Sequence, residues 1–366
     1  MSDAESNIKA HKGVGKVAGR QRVTMQDIAR AAGCSQPTVS FVLNENDSAK
    51  ISKATKQRVF EVAHELGYEF SPKPALRTSK GGQSGLYIDG PIAFVVDNLA
   101  TSPEGVHAFD GIMQAVRQTG NIVMLAETRN DAALEERTLR QFLEQDVSAI
   151  IYACVFTRHV TLPDILRQTD TPVFLLNCWS DDLIFPSVIP SDVAGGHSAT
   201  HHLLASGHTR IGTIVGEPHM ECAKSRLKGY RNALSSADIP CLEELIYQGD
   251  WLPSSGYEGT RALMALPNPP TAIFCHNDRM VIGCYEALKE LGLSIPKDVS
   301  VVGYDDDEVA SHLSPPLTTV NLASRALGRW VIDQLFHGPR GEDARHPLVK
   351  LECELVERNS VAPPNK

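Results

Sequence analysis

Two rhythms of apolar and polar positions divide the chain. From Pro91 onward, short apolar runs (PIAFVVD, NIVMLAET, SAIIYACVF, TPVFLLN, RIGTIVGE, ELIYQGD, TAIFCHND, VSVVGYDD) alternate with longer segments whose apolar residues recur three and four apart. Those segments are VHAFDGIMQAVRQTG, ALEERTLRQFLEQ, AGGHSATHHLLASG, RLKGYRNALSSA, SGYEGTRALMAL and MVIGCYEALKELG. Strands alternating with helices predict parallel sheets covered by helices on both faces. Some 270 residues are too many for one such sheet, so two similar subdomains are expected. The first 70 residues contain only helical periods.

Those early helices are short. VTMQDIARAAG offers Thr24 as a cap, an apolar face from Ile28 and Ala31, and Gly33 as a stop. GCSQPTVSFVLN starts a second helix with Ser35 as cap, and Pro37 in its first turn removes no hydrogen bond. Val39 and Leu43, with Val42 beside them, form its buried stripe, which turns Gln36, Pro37, Ser40 and Phe41 outward. A third segment, ISKATKQRVFEVAHELGY, opens at Ser52 and should bury Val59, Val62, Ala63 and Leu66. Two helices joined by a tight glycine turn, with a third behind them, predict a helix-turn-helix domain.

The charge distribution gives that domain a partner. Residues 1–80 carry 13 Lys and Arg against 8 Asp and Glu, a net of +5, while the remainder carries 22 against 36, a net of −14. A basic head on an acidic body is the asymmetry of a nucleic-acid-binding arm. Eight cysteines without a C-x-x-C pair read as reduced thiols of a cytoplasmic protein. No apolar run is long enough to cross a bilayer, and the first twenty residues lack the apolar segment of a secretory signal.

VTMQDIARAAGCSQPTVSFVLN followed by ISKATKQRVFEVAHELGYEFSP resembles the DNA-binding headpiece of the lactose-repressor (LacI) family of bacterial transcription regulators. The similarity continues through IGTIVGEP, SRLKGYRNAL, AIFCHNDRM and DVSVVGYDDDEVASHLSPPLTTV, so it spans about Arg22 to Glu357. The resemblance implies a headpiece followed by two doubly wound α/β subdomains like those of periplasmic sugar-binding proteins. Expected boundaries are a tail over 1–21, the headpiece over 22–70, a hinge over 71–89, an effector and dimerisation domain over 90–357 that crosses between subdomains near 190 and 320, and a tail over 358–366.

The family pattern also assigns residues. Thr24, Ser35, Thr38, Ser40, Asn44, Ser52 and Thr55 match positions that hold the DNA backbone, and Gln36, Pro37 and Phe41 fall where base edges are read. Many family members carry arginine at the Phe41 position. Phenylalanine can instead pack on a thymine methyl, or fold back on its own domain. The hinge departs from the pattern: the family's minor-groove leucine aligns with Ser79, leaving Leu76 as the nearest candidate wedge. In the body, Asn177, Arg226, Trp251, Asn277, Arg279 and Asp305 match effector residues, with Thr128 as a neighbour. Hydroxyl-bonding amides and carboxylates, an arginine fork and an indole face suit a sugar, and two arginines leave room for a sugar acid or phosphate. Trp251 can equally be a core residue, and Arg226 can belong to a surface ion pair. Ser324 stands where some sugar-binding members place an aromatic ring.

Enzyme-like fragments carry little. GVGKVAG follows no strand, HELGY lacks a second zinc histidine, His201, His202 and His208 do not share a face, and DDDE lacks calcium-loop spacing. The expectation is a non-enzymatic homodimeric regulator of palindromic operator DNA, without a cofactor, bound metal or membrane partner, under a small sugar-like effector. The rival is a sugar-binding or sugar-processing protein with an appended DNA-binding head.

Overall fold

The computed structural model describes residues 25–43, 51–66, 77–78, 86–87, 90–100, 103–117, 119–338 and 348–365. They belong to two compact units that divide between Ala75 and Leu76.

The first unit holds three helices: α1 Met25–Ala32, α2 Gln36–Leu43 and α3 Lys53–Glu65. Gly33, at φ +62°, ends α1 in the left-handed region, and the Cys34 N–H donates back to Ala29 O at 3.0 Å. Ser35 Oγ then accepts from the Thr38 N–H at 3.3 Å and caps α2. Ser52 Oγ does the same for α3 through the Thr55 N–H at 3.1 Å. Ile28, Ala29, Ala32, Val39, Val42, Val59 and Ala63 form one small core. Of the expected core residues, Val62 packs against its edge, the side chain of Leu43 falls outside the described residues, and Ala31 and Leu66 lie away from it. Ala31 is exposed, because the buried arc of α1 runs through 28, 29 and 32, and position 31 is turned some 100° from its centre. Leu66, 40 % exposed, follows the last turn of α3 and overshoots the core.

In the second unit, β1 Arg77–Thr78 pairs antiparallel with β2 Leu86–Tyr87. The family resemblance implies a hinge helix in this stretch. Arg77 and Thr78 are extended, consistent with Pro72 and Pro74 upstream and a Ser- and Gly-rich sequence downstream. Leu76 and Ser79 lie outside the described residues.

The first subdomain is built from β3 Ile92–Val96, α4 Glu104–Val116, β4 Val123–Glu127, α5 Ala132–Glu144, β5 Ala149–His159, α6 Asp164–Gln168, β6 Val173–Trp179 and β7 Ser187–Pro190. The second follows with α7 Asp192–Ala205, β8 Ile211–Val215, α8 Glu221–Ser236, β9 Ile246–Gln248, α9 Pro253–Met264, β10 Ala272–Cys275, α10 Asp278–Glu290, β11 Ser300–Asp305, α11 Glu308–His312 and β12 Thr318–Asn321. The chain then returns to the first subdomain as α12 Ser324–His337 and β13 Leu348–Leu351, and ends in the second as β14 Leu355–Val356. Each sheet has six strands, in the orders β13-β7-β6-β5-β3-β4 and β14-β12-β11-β10-β8-β9. All pairings are parallel except that of β14 with β12.

Every strand and helix anticipated from the apolar rhythm of the body is present. The chain crosses between subdomains after Pro190, after Asn321, and a third time between Leu351 and Leu355. β13 and β14 are too short to announce themselves. Parallel register sets Pro190 against Leu351, antiparallel register sets Val320 against Leu355, and the Ser191 N–H donates to Leu351 O at 2.8 Å. Residues 358–365, expected as a tail, are bound to the second subdomain. Ser360 is fully buried and donates to Val301 O at 2.6 Å, and the Arg358 guanidinium meets Asp306 at 2.7 Å.

Three helix pairs interlock through reciprocal glycines. A Cβ on Gly111 of α4 would lie 2.1 Å from Arg325 O of α12, and one on Gly328 of α12 would lie 2.1 Å from Ala108 O of α4. Gly196 of α7 and Gly229 of α8 are 2.3 Å from Arg226 O and Val193 O in the same sense, and Gly256 of α9 and Gly283 of α10 are 1.9 and 1.8 Å from Met280 O and Pro253 O. Only hydrogen fits where the two backbones meet.

Candidate functional site

Between the subdomains a cleft of about 50 Å3 is lined by ends of strands and starts of helices. From the first subdomain come Glu104 at the start of α4, Val155, Phe156 and Thr157 of β5, and Asn177 of β6. From the second come Cys222 and Arg226 of α8, Trp251 ahead of α9, Asn277 and Arg279 at the start of α10, Asp305 at the end of β11, and Leu322. This is the place where open parallel sheets bind ligands. Six of the seven residues expected at an effector site are thereby brought together. Thr128 is not among the lining residues: it is 2 % exposed, and its N–H donates to Val96 O at 2.9 Å, tying the turn after β4 to β3.

Arg226 organises the cleft. It is 4 % exposed, its Nε donates to Asp192 at 2.8 Å, and its Nη1 reaches Asp305 at 3.3 Å and His276 O. The guanidinium carbon stands 3.7 Å from the centre of the Tyr304 ring. The surface ion pair is therefore excluded, and so is a guanidinium with both edges open to a ligand. Burial works against its charge, but Asp192 and Asp305 outweigh burial and hold its pKa well above the ordinary value. Asp192 begins α7 just after the first crossover, so this ion pair clasps the crossover to α8.

The two asparagines are also engaged with protein. Asn177 donates to Cys154 O and Val155 O at 3.0 and 2.8 Å and accepts from Thr157 Oγ1 at 2.6 Å, bridging the register shift between β5 and β6. Asn277 caps α10 by accepting from the Met280 N–H at 2.9 Å and donates to Trp251 O at 3.1 Å. The Trp251 indole packs on Gly216, where a Cβ would fall 1.9 Å from the ring, and its N–H points at Met220 Sδ, 3.1 Å away. It is both a core residue of the second subdomain and a wall of the cleft.

Strain gathers at the same place. Asn177 (φ +59°), Trp251 (+68°), Asp305 (+110°), Asp306 (+55°) and Ala323 (+62°) all hold left-handed backbones without being glycine. Each costs about 1–3 kcal/mol unless its surroundings enforce it, and such residues cluster at ligand sites.

Glu104 was not singled out from sequence, and no local signal could have done so. Its Oε2 is buried without a hydrogen-bond partner among the described residues. Burial pushes its carboxyl up to about 7, against the pull of its own backbone N–H, Arg226 and Arg279, with Asp307 pushing the same way as burial. Asp278, beneath the cleft, is likewise raised to about 7 by burial although it accepts from Thr319 Oγ1 at 2.7 Å and the Asp307 N–H at 2.9 Å. His276 is fully buried beside Arg226, and both burial and that charge depress its pKa well below the usual value, which leaves the ring neutral. Ser324 starts α12 and lines a smaller cavity adjoining the cleft, together with Glu104 and Asn177.

In the headpiece, Ser35, Gln36 and Ser52 are exposed, with Thr38 and Thr55 half-buried beside their capping serines. Both hydroxyl pairs, Ser35–Thr38 and Ser52–Thr55, are 2.8 Å apart. Pro37, Ser40 and Phe41 lie within α2, although their side chains, like Thr24 and Asn44 as a whole, fall outside the described residues. Of the three histidines weighed as ligands, His208 is 1 % exposed and bonded to Thr271 Oγ1, Ser300 Oγ and Ala362 O at 2.9–3.0 Å.

Comparison with known proteins matches residues 24–71 to the bacterial regulatory proteins of the lacI family and residues 200–361 to a periplasmic binding protein-like domain. The ribose operon repressor of Haemophilus influenzae is 30 % identical over 92 % of this chain and 98 % of its own length. The transcriptional repressor PurR of Aliivibrio salmonicida is 28 % identical over the same shares of the two chains. Among solved structures, the regulator CelR in complex with cellobiose is 29 % identical with a TM-score of 0.62, and the lac repressor dimer bound to operator and an anti-inducer is 28 % identical with a TM-score of 0.62. Both cover 93 % of this chain and 100 % of their own. A helix-turn-helix head, two crossed-over α/β subdomains with a polar cleft between them, and relatives of matching length that are transcriptional repressors rather than enzymes lead to one assignment: the chain belongs to the lacI family of bacterial regulatory proteins.

Proposed function

We propose that the protein is a cytoplasmic repressor that binds a two-fold operator as a homodimer and is switched by a small polyhydroxy effector held in the cleft. The observation that supports this most is the convergence of Asn177, Arg226, Trp251, Asn277, Arg279 and Asp305 on one cleft that both subdomains line. A ligand there touches both halves, so it can bias their relative position and, through the dimer, the spacing of the two heads. Linkage then requires operator DNA to change effector affinity by the factor by which effector changes operator affinity. Equal effector affinity with and without operator would refute the coupling. The rival, a sugar-processing enzyme with an appended head, gains no support from relatives of matching length, which are transcriptional repressors.

On the DNA side, α2 offers Gln36, Pro37 and Phe41 to base edges, while Thr24, Ser35, Thr38, Ser40, Asn44, Ser52 and Thr55 hold phosphates and Leu76 reaches the minor groove. Replacing Phe41 with alanine is expected to cost about 1–3 kcal/mol on the operator and little on random DNA. The check is a titration of both DNAs beside a melting curve. Preserved operator preference with an earlier melt would make Phe41 a packing residue.

Dimerisation needs apolar surface, and large apolar side chains stand exposed on both subdomains. Val106 and Met113 of α4 are 50 % and 41 % exposed, Leu125 of the edge strand β4 is 41 %, and Leu252 and Ile282 of the α9–α10 pair are 42 % and 39 %. Ile282→Asp is expected to shift the sedimentation profile toward monomer and to weaken operator binding, because one head contacts only half a site.

A further inference from the structure

Several features of the cleft determine what kind of effector it can take. Arg226 faces inward, but Asp192 and Asp305 already neutralise it. Arg279 lies within electrostatic reach of two carboxylates, Glu104 and Asp307. Acidic groups therefore outnumber basic ones around the cleft, a balance that favours an uncharged ligand over an anion. Against this background Glu104 Oε2 is a buried acceptor lining the cleft without a donor. An unmet buried acceptor is costly, and a proton on the carboxyl, a bound water or a donor brought by the ligand relieves it.

We propose that Glu104 is the acceptor for an effector hydroxyl, so that the cleft selects an uncharged polyol over its acid or phosphate and couples effector capture to release of a proton. The proposal rests on the assignment of the cleft as the effector site. Glu104 opens α4, where the first-turn N–H groups favour a negative charge. The groups facing it are Arg226 of α8, Arg279 of α10, Asp305 at the end of β11 and Asp307 just beyond it. On its own helix lie His107 and Asp110, with Arg325 of α12 paired to Asp110 at 2.9 Å.

The sign of the linkage follows. In the free protein burial holds Glu104 at about 7, so a substantial fraction is protonated at neutral pH. A donated hydroxyl stabilises only the carboxylate, so the bound form has the lower pKa. Affinity is then full above pH 7 and falls as the pH drops below 7, by up to about tenfold per unit, until the bound form also protonates. An anionic effector reverses the sign: it favours the protonated carboxyl and binds more tightly as pH falls.

The test is calorimetric titration of the full chain at pH 6, 7 and 8 in buffers of different ionisation enthalpy. The probes are D-ribose, D-glucose and cellobiose, set against ribose 5-phosphate, glucose 6-phosphate and gluconate. The expected result is binding of a neutral sugar, proton release approaching one per site near pH 6, and loss of affinity on acidification. In Glu104→Gln the same sugar binds more weakly with no pH slope, and the melting curve confirms that the variant is folded. A neutral sugar with pH-independent affinity, or an unchanged slope in Glu104→Gln, overturns the role of Glu104 and leaves the cleft assignment intact. Tighter binding of an acid or phosphate does the same. A panel in which nothing binds, or in which binding survives Arg279→Ala and Asn277→Ala unchanged, overturns the cleft assignment and the proposal with it.

Discussion

Arg226→Met is expected to lower the unfolding free energy of the body by about 3–5 kcal/mol, the largest effect anticipated for any single side chain here. Its Cα sits in the middle of α8, where methionine is an equally good helix former, so propensity contributes nothing. What remains after the change is the problem: Asp192, 4 % exposed, and Asp305 would stand buried without their cation. The His276 carbonyl loses its donor and the Tyr304 ring loses the cation on its face. Urea denaturation measures the loss. Adding Asp192→Asn and Asp305→Asn should recover a large part of it, because removing all three charges also removes the stranded ones. If the single variant is within about 1 kcal/mol of wild type, a magnitude ordinary for surface pairs, the clasp is not a buried one.

Gly283→Ala is expected to destabilise by about 1–3 kcal/mol, and at least as much as any other glycine change at the helix crossings. A methyl there would lie 1.8 Å from Pro253 O and 2.6 Å from the Tyr257 N, both backbone atoms that cannot rotate away. α9 and α10 must separate, which also disturbs Asn277, the cap of α10, and through it Trp251. Helix propensity alone predicts the reverse, a gain of roughly 0.5–1 kcal/mol from glycine to alanine, so the sign of the measured change decides which effect governs. Thermal melting with the cleft probes present would show effector binding weakened as well.

Much of this molecule was legible in its sequence because its signals are local. The caps at Ser35 and Ser52, the glycine stop at Gly33 and the βα rhythm of the body depend on near neighbours, and the structure reproduces them. The failures mark tertiary decisions. Ala31 and Leu66 satisfy a helical period but not the arc that a three-helix core selects. Asn177 and Asn277 line the cleft, and their amides also bridge a strand irregularity and cap a helix, a second use that no local pattern announces. Glu104 looks like an ordinary acidic residue at a helix start. Only the fold places Arg279 and Asp307 against it and buries its second oxygen.

The second crossover has a consequence for how the protein must be made. The first sheet needs β13 beside β7, and its core needs α12, whose Leu327, Val331 and Leu335 pack with Ile92, Phe94 and Ile151. Both elements lie beyond the whole run from α7 to β12. During synthesis from the N-terminus, the second subdomain can therefore have most of its strands in place while the first, begun a hundred residues earlier, still waits with one core face uncovered. Order of appearance and order of completion are reversed. A ribosome that stops between Asn321 and Leu351 releases a chain whose earlier half is the less finished one, and exposed apolar surface on that half is what chaperones and proteases would meet first.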